Sequence, residues 1–428
     1  MTRKLTNPLF LFLAVWTSAG MAYLLGIVTG LFPDVERATA GIVLLGILTF
    51  CLGYLTWTLF LNVRPPADKP IEAPPHMLST ERVARGLKFT FLMGLIVLAL
   101  GFYRISMVAS YFGDSFLDLL THPVRLRQQL VLFISTSIFE VNHITMLISV
   151  TSSLFSIGFV LLGVFLALSR SIVRYVYLCG FLLVSLGIGL SNLSRFEVTV
   201  HILYIILAYC FACHWRDPSE RRNPLVGILI PFIAAAALFI VIEFLLDKGG
   251  NYAQPGRLRG FLFSFYWYLA SPLAAFNEYI ANFEGHYRLG QNMFFPFYKW
   301  LCRFGLAPET NLSVYGDMIN IPYAANVYTY LRNIYDDFGV LGIAVAPYTL
   351  GWLTAAVRAK AAHHFHYLNL YLILLVLIIF SFYNYYLFSN QIYLQIFFGF
   401  LFFRWSVAPQ PNAQSAGSLG AHVLSVPG

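Results

Sequence analysis

The sequence predicts an all-α polytopic membrane protein of about ten transmembrane helices, with one large, partly helical loop on the outer side. Two observations carry this. Of 428 residues, 59% are hydrophobic and only 11% charged, and the mean hydropathy is +0.71. A soluble domain carries about 25% charged residues, so a soluble enzyme or nucleic-acid binder is excluded. The apolar residues are also gathered in runs near the roughly 20-residue length that a hydrocarbon core about 30 Å thick demands of a helix.

Seven runs fall at 8–32, 38–62, 87–112, 144–168, 171–190, 196–213 and 225–246, which gives residues 1–246 helices one to seven. Three more at 338–357, 367–388 and 391–405 give residues 338–405 helices eight to ten. The first run exceeds a signal peptide's apolar core and a second span follows almost at once, so it reads as a retained anchor. The stretch 129–142 contains Glu140 and Asn142 and is too short to span; it is expected at the interface or as a re-entrant segment. The Pro-rich segment Arg64–Pro75 reads as an extended linker and residues 406–428 as a disordered cytoplasmic tail.

Residues 247–337 form one outer loop rich in Tyr, Phe, Trp, Asn and Arg, and loops of that length are uncommon unless functional. Its apolar parts, Phe261–Ala270 and Pro272–Ile280, are expected as short surface helices cut at Pro272, Asn277 or Glu278. The loop thus reads as a small lid-like domain.

Charge sets the orientation. The net charge is +8, and fifteen of the 27 Lys and Arg fall in short inner segments. Five, Arg37, Arg104, Arg125, Arg127 and Arg195, fall in short outer ones. The positive-inside rule then puts both termini in the cytoplasm. Five cysteines cannot all pair, and four lie in apolar runs, so no disulfide framework is implied.

Two motifs can be set aside. Cys210-Phe211-Ala212-Cys213-His214 has the C-x-x-C-H spacing of haem attachment, but closes a span on the inner side, where haem is not attached. His363, His364 and His366 lie in a short turn with no Cys, Asp or Glu beside them, so no metal is expected. The chain has no phosphate loop, H-E-x-x-H or G-x-S-x-G motif.

Arg104, Arg125, Arg127, Arg195, Arg257, Arg259, Arg288 and Arg332 remain on the outer side, against the charge bias. Guanidinium binds phosphate oxygens two at a time, so the set suits a pyrophosphate or another polyanion at the membrane surface. Arg195 stands in a tight polar turn, Ser191 to Glu197, and Glu197 and His201 are spaced to pair on one helix face. The second dense segment runs from Asn326 through Tyr328, Thr329, Arg332, Asp336 and Asp337 into the eighth span. Adjacent carboxylates at a membrane boundary are costly, and burial or mutual repulsion can raise one toward a working base. Asp337 is expected to open the helix there and to stay exposed, near arginine-bound pyrophosphate.

Asn326, Tyr328, Thr329, Asp337, Phe338, Gly339 and Gly342 resemble the N-x-Y-T…D-F-G-x-x-G signature of Wzy-type O-antigen polymerases, the bacterial oligosaccharide repeat-unit polymerases. The span number and single large loop are also similar to that family. A further pattern of some members, an arginine followed by ten residues and then a glycine, is not cleanly present, since Arg257 and Arg259 lead to Tyr268 and Ala270. The resemblance implies a fold like the integral-membrane glycosyltransferases of the GT-C type and a metal-independent reaction. An oligosaccharide on undecaprenyl pyrophosphate would be passed to the non-reducing end of a fresh lipid-linked unit, outside the cytoplasm and without a cofactor. Asp337 and Arg195 would then be catalytic, and Arg104, Arg125, Arg127, Arg257, Arg259, Arg288, Asn326, Tyr328, Arg332 and Asp336 would bind substrate. Membrane lipids and a chain-length regulator are the implied partners. An O-antigen ligase-like transferase and a lipid-linked sugar exporter are the alternatives.

Overall fold

The computed structural model describes residues 6–60, 80–122, 125–126, 128–130, 141–169, 171–192, 195–213, 257–307, 319–325, 327–384 and 389–406. The helices are α1 (Pro8–Val28), α2 (Arg37–Phe60), α3 (Thr80–Phe112), the short α4 (Phe116–Thr121), α5 (Val141–Leu168), α6 (Val173–Ser191) and α7 (Arg195–Ala212). After these come α8 (Arg257–Ala281), α9 (Phe295–Arg303), a small antiparallel hairpin of β1 (Ile319–Asn320) and β2 (Ala324–Ala325), α10 (Tyr330–His363), α11 (His366–Phe380) and α12 (Asn390–Ser406). Among the described residues six helices, α1, α2, α3, α5, α6 and α10, are long and apolar enough to cross a membrane. At three more expected spans, α7, α11 and α12 hold shorter apolar helices. The expected span 225–246, the Pro-rich linker and the tail beyond Ser406 lie outside the described residues, as do residues 131–140 of the short stretch.

Local sequence explains the helix starts and faces. At α1, Asn7 Oδ1 accepts from the backbone N–H groups of Leu9 (3.0 Å) and Phe10 (3.3 Å), and Pro8 takes the first helical position, where its missing N–H costs nothing. Along α2, Leu44, Leu48, Leu52, Leu55 and Leu59 form an exposed leucine stripe at helical spacing. In water such a stripe is a liability, whereas against lipid it is the expected outer face of a multi-pass membrane protein.

The helices share two cores. One gathers around α5, whose most apolar stretch is 89% buried against 33% for α1, α2 and α3, so α5 is the central post and those three are peripheral. Against it pack α3, α6, α7, α11 and α12. The other core joins α1, α2, α8 and α10. Here α2 and α10 approach through glycines: a Cβ on Gly53 would stand 2.0 Å from the Tyr348 carbonyl oxygen, and one on Gly351 2.2 Å from that of Phe50. Close backbone approach at small residues is the usual way helices associate in lipid.

Two expectations about the loop are corrected. Pro272 does not cut the helix: α8 runs unbroken through it, because Ala270 to Asn277 are all buried and their packing outweighs the lost hydrogen bond. Asn277 accepts from the Glu36 N–H (2.8 Å) and donates to the Asp34 carbonyl (3.1 Å), tying α8 to the α1–α2 connection. Nor does the helix of the expected span 338–357 begin only there, although a second helical segment does start just past Gly339. Helix α10 starts at Tyr330 and is interrupted at Gly339, whose φ of 58° and ψ of −146° are open to glycine.

Candidate active site

The interruption at Gly339 organises the densest polar cluster among the described residues. Asp336 and Asp337 end the first segment of α10, and residues 288–293 lie across them as a strap. The Arg288 and Leu289 N–H groups donate to the backbone carbonyls of Asp336 (2.9 Å) and Asp337 (3.2 Å), two acceptors at the end of a helical segment that need outside donors. The strap turns sharply: Leu289 has φ 49° and Gly290 φ 92°. A Cβ on Gly339 would meet the Tyr287 ring at 2.9 Å, so the break and the strap fit only with glycine there.

The carboxylates are held differently. Asp337 is 0% exposed, and its two oxygens accept from the backbone N–H groups of Asn292 (3.0 Å) and Met293 (2.6 Å). This corrects the expectation of an exposed Asp337 opening a helix: the strap encloses it, because two consecutive N–H groups need an acceptor where the chain turns toward α9. Asp336 is nearly as deeply buried, 7% exposed, and lies beside the half-exposed Arg288. Its Oδ1 accepts from the Tyr279 hydroxyl (2.7 Å), and its Oδ2 from the Asn292 side-chain amide. Arg288 Nε stands 3.2 Å from the same Oδ2, with its side chain 43% exposed. Burial first, then the hydrogen bond to Asp336 and its charge, push the Tyr279 phenol far above its ordinary range, so it stays a donor.

Arg332 completes the cluster. Its guanidinium lies over the rings of Tyr328 (4.2 Å) and Tyr279 (4.8 Å), a cation–π arrangement that aims a fixed charge beside Asp336. The structure thus brings together Asp336, Asp337, Arg288, Arg332 and Tyr328. It adds Tyr279, Tyr287 and Asn292, which no motif marks; only the concentration of Tyr and Asn in the loop hints at them. Asn326 lies outside the described residues.

A second polar cluster stands where α3, α6 and α7 meet. Arg104 is 9% exposed and donates to Asn192 Oδ1, whose amide donates to Glu197 Oε2 (2.9 Å). The expected Glu197–His201 pair does not form. His201 instead has Ser156 Oγ at 3.1 Å and Ser185 Oγ at 2.8 Å from its two ring nitrogens, and stacks on Phe159 with centroids 4.1 Å apart. Those serines reach it from α5 and α6, closer than a side chain one turn away on its own helix. Arg125 pairs with Asp114 at 2.5 Å and with neither cluster's carboxylate or amide. Arg195 opens α7 and Arg257 and Arg259 open α8, but their side chains, and Arg127 altogether, lie outside what the structure describes.

Both clusters stand at the same end of the bundle. The Tyr330 N–H donates to the Ser381 carbonyl (2.9 Å), Phe196 packs on Phe380 (4.7 Å) and Tyr383 (6.4 Å), and Tyr383 reaches Tyr268 of α8 (5.7 Å). The starts of α7 and α10 and the end of α11 therefore meet. Among the described residues no group of three or more His, Cys, Asp or Glu side chains is placed to hold a metal. A scan of protein-family models, a search of curated proteins and a search of solved structures each found no match to this chain.

Proposed function

We propose that this protein is an integral-membrane glycosyltransferase that polymerises oligosaccharide units carried on undecaprenyl pyrophosphate, at the outer face of a bacterial inner membrane. The observation that carries this reading is the carboxylate pair at the break in α10, with Arg288 and Arg332 beside it and tyrosines around it. The Asp337–Gly342 part of the polymerase-like signature coincides with that break. The inner-segment charge surplus supports the sidedness.

In this reading the incoming sugar hydroxyl gives its proton to Asp336, its oxygen bonds to the anomeric carbon, and the bond to the lipid pyrophosphate breaks. Arg288 leaves Asp336 for the pyrophosphate, which neutralises the departing charge and frees the carboxylate to act as base. Arg332 assists from its tyrosine seat, and Arg195 meets the same group from the start of α7. Asp337 positions the strap. Tyr279, Tyr287 and Tyr328 offer flat faces and hydroxyls to sugars.

The test is the surface polysaccharide ladder of a strain lacking this chain. A single-repeat band is expected. Loss of all repeats would favour a ligase-like transferase or an exporter, and an unchanged ladder would overturn the reading.

A further inference from the structure

Helix α9 carries an apolar face that the described residues leave largely uncovered. Phe297, Trp300, Leu301 and Phe304 fall at i, i+3, i+4 and i+7, one stripe of a helix continued a residue past its end, and they are 49%, 56%, 42% and 75% exposed. Lys299 stands on the opposite side of the wheel, as does the sequence position of Arg303. In an ordinary amphipathic helix such a stripe faces the protein core. Here it is turned outward.

The surroundings say what covers it. The Phe297 ring packs edge-on against Tyr393, with centroids 5.0 Å apart. Tyr393 lies in the first turn of α12, and Phe397, Phe400 and Leu401 continue down the same face of that helix, all exposed. The stripe on α9 is therefore continuous with an apolar, outward face of a helix at one of the expected spans. It meets that face at the end where the carboxylates stand. A short helix with Trp, Phe and Leu on one side and basic residues on the other is the pattern that lies in the headgroup–acyl boundary of a bilayer.

We propose that α9 lies flat in the membrane interface, with its Phe297–Phe304 face covered by lipid of the leaflet beside the carboxylate pair. Met293, whose N–H holds Asp337, stands two residues before α9. Lipid seating of α9 therefore also fixes the height of the strap over Asp336. This inference needs the membrane architecture but not the transferase reading.

The test uses the full-length protein, with its cysteines replaced by serine, in vesicles of phosphatidylethanolamine and phosphatidylglycerol. Nitroxide labels are placed singly through Phe304→Cys and Lys299→Cys, and their collision rates with oxygen and with a water-soluble nickel chelate are compared. At 304 oxygen should dominate, and at 299 the nickel chelate. Equal access of the nickel chelate to both labels would overturn the proposal, as would protection of 304 from both reagents, which would mean a second copy or another protein covers the face. An unlabelled chain gives an independent reading: Trp300→Phe should remove a share of the fluorescence quenched by acyl-brominated lipid. Removal of only unquenched fluorescence would also overturn the proposal.

Discussion

The two polar clusters at one end of the bundle are built in opposite ways. Around Asp336 and Asp337 most partners come from loop backbone and from one half-exposed arginine, so the carboxylates open if a strap of six residues lifts. Around Arg104, Asn192 and Glu197 the described partners are side chains on apolar helices or at their ends, and His201 is wedged between serines of two others. A charge held by a loop can exchange its partner for a substrate, whereas a charge clamped between helices cannot without parting them. In the proposed function, that difference gives the chemistry to the first cluster and an architectural part to the second.

Substitutions at each cluster break or sharpen that contrast. Asp336→Asn keeps the size of the side chain and removes its ability to take a proton, so chain extension should fall by about 10²–10⁴ while the protein remains folded; radiolabelled product lengths check this. Arg104→Ala should act on stability instead. It leaves Asn192 without its donor and the half-buried Glu197 without a nearby cation, a loss of about 1–3 kcal/mol, visible as a lower unfolding temperature in detergent. Gly339→Ala should cost about 1–3 kcal/mol from a positive-φ backbone that is essentially glycine-only, and more from the Tyr287 ring; a Tyr287→Ala background should return only the second part. The smallest effect belongs to His201→Gln, which keeps one serine contact and should cost about 0.5–1.5 kcal/mol with extension unchanged.

The six membrane-length helices were legible because lipid demands long apolar runs, and the D-F-G-x-x-G pattern marked Gly339 but not the break it makes in α10. What the sequence could not show is the strap. Asn292 lies 44 residues from Asp336 and Tyr279 lies 57 from it, and no period links such positions. Pro272 misled because its local cost is real but smaller than the burial around it. Glu197 and His201 misled because spacing on one helix says nothing of the serines that α5 and α6 bring. The stripe on α9 is readable in the residues, since Phe297, Trp300, Leu301 and Phe304 keep helical spacing, but only the structure shows it facing outward.

The most direct measurement is extension by the purified full chain, supplied with lipid-linked oligosaccharide extracted from the strain that lacks it. The wild type should build a ladder, Asp336→Asn should stop at the first unit, and Asp337→Asn should extend slowly, with its rate limited by a loosened strap. A full ladder from Asp336→Asn at equal protein amount would contradict the assignment of the base.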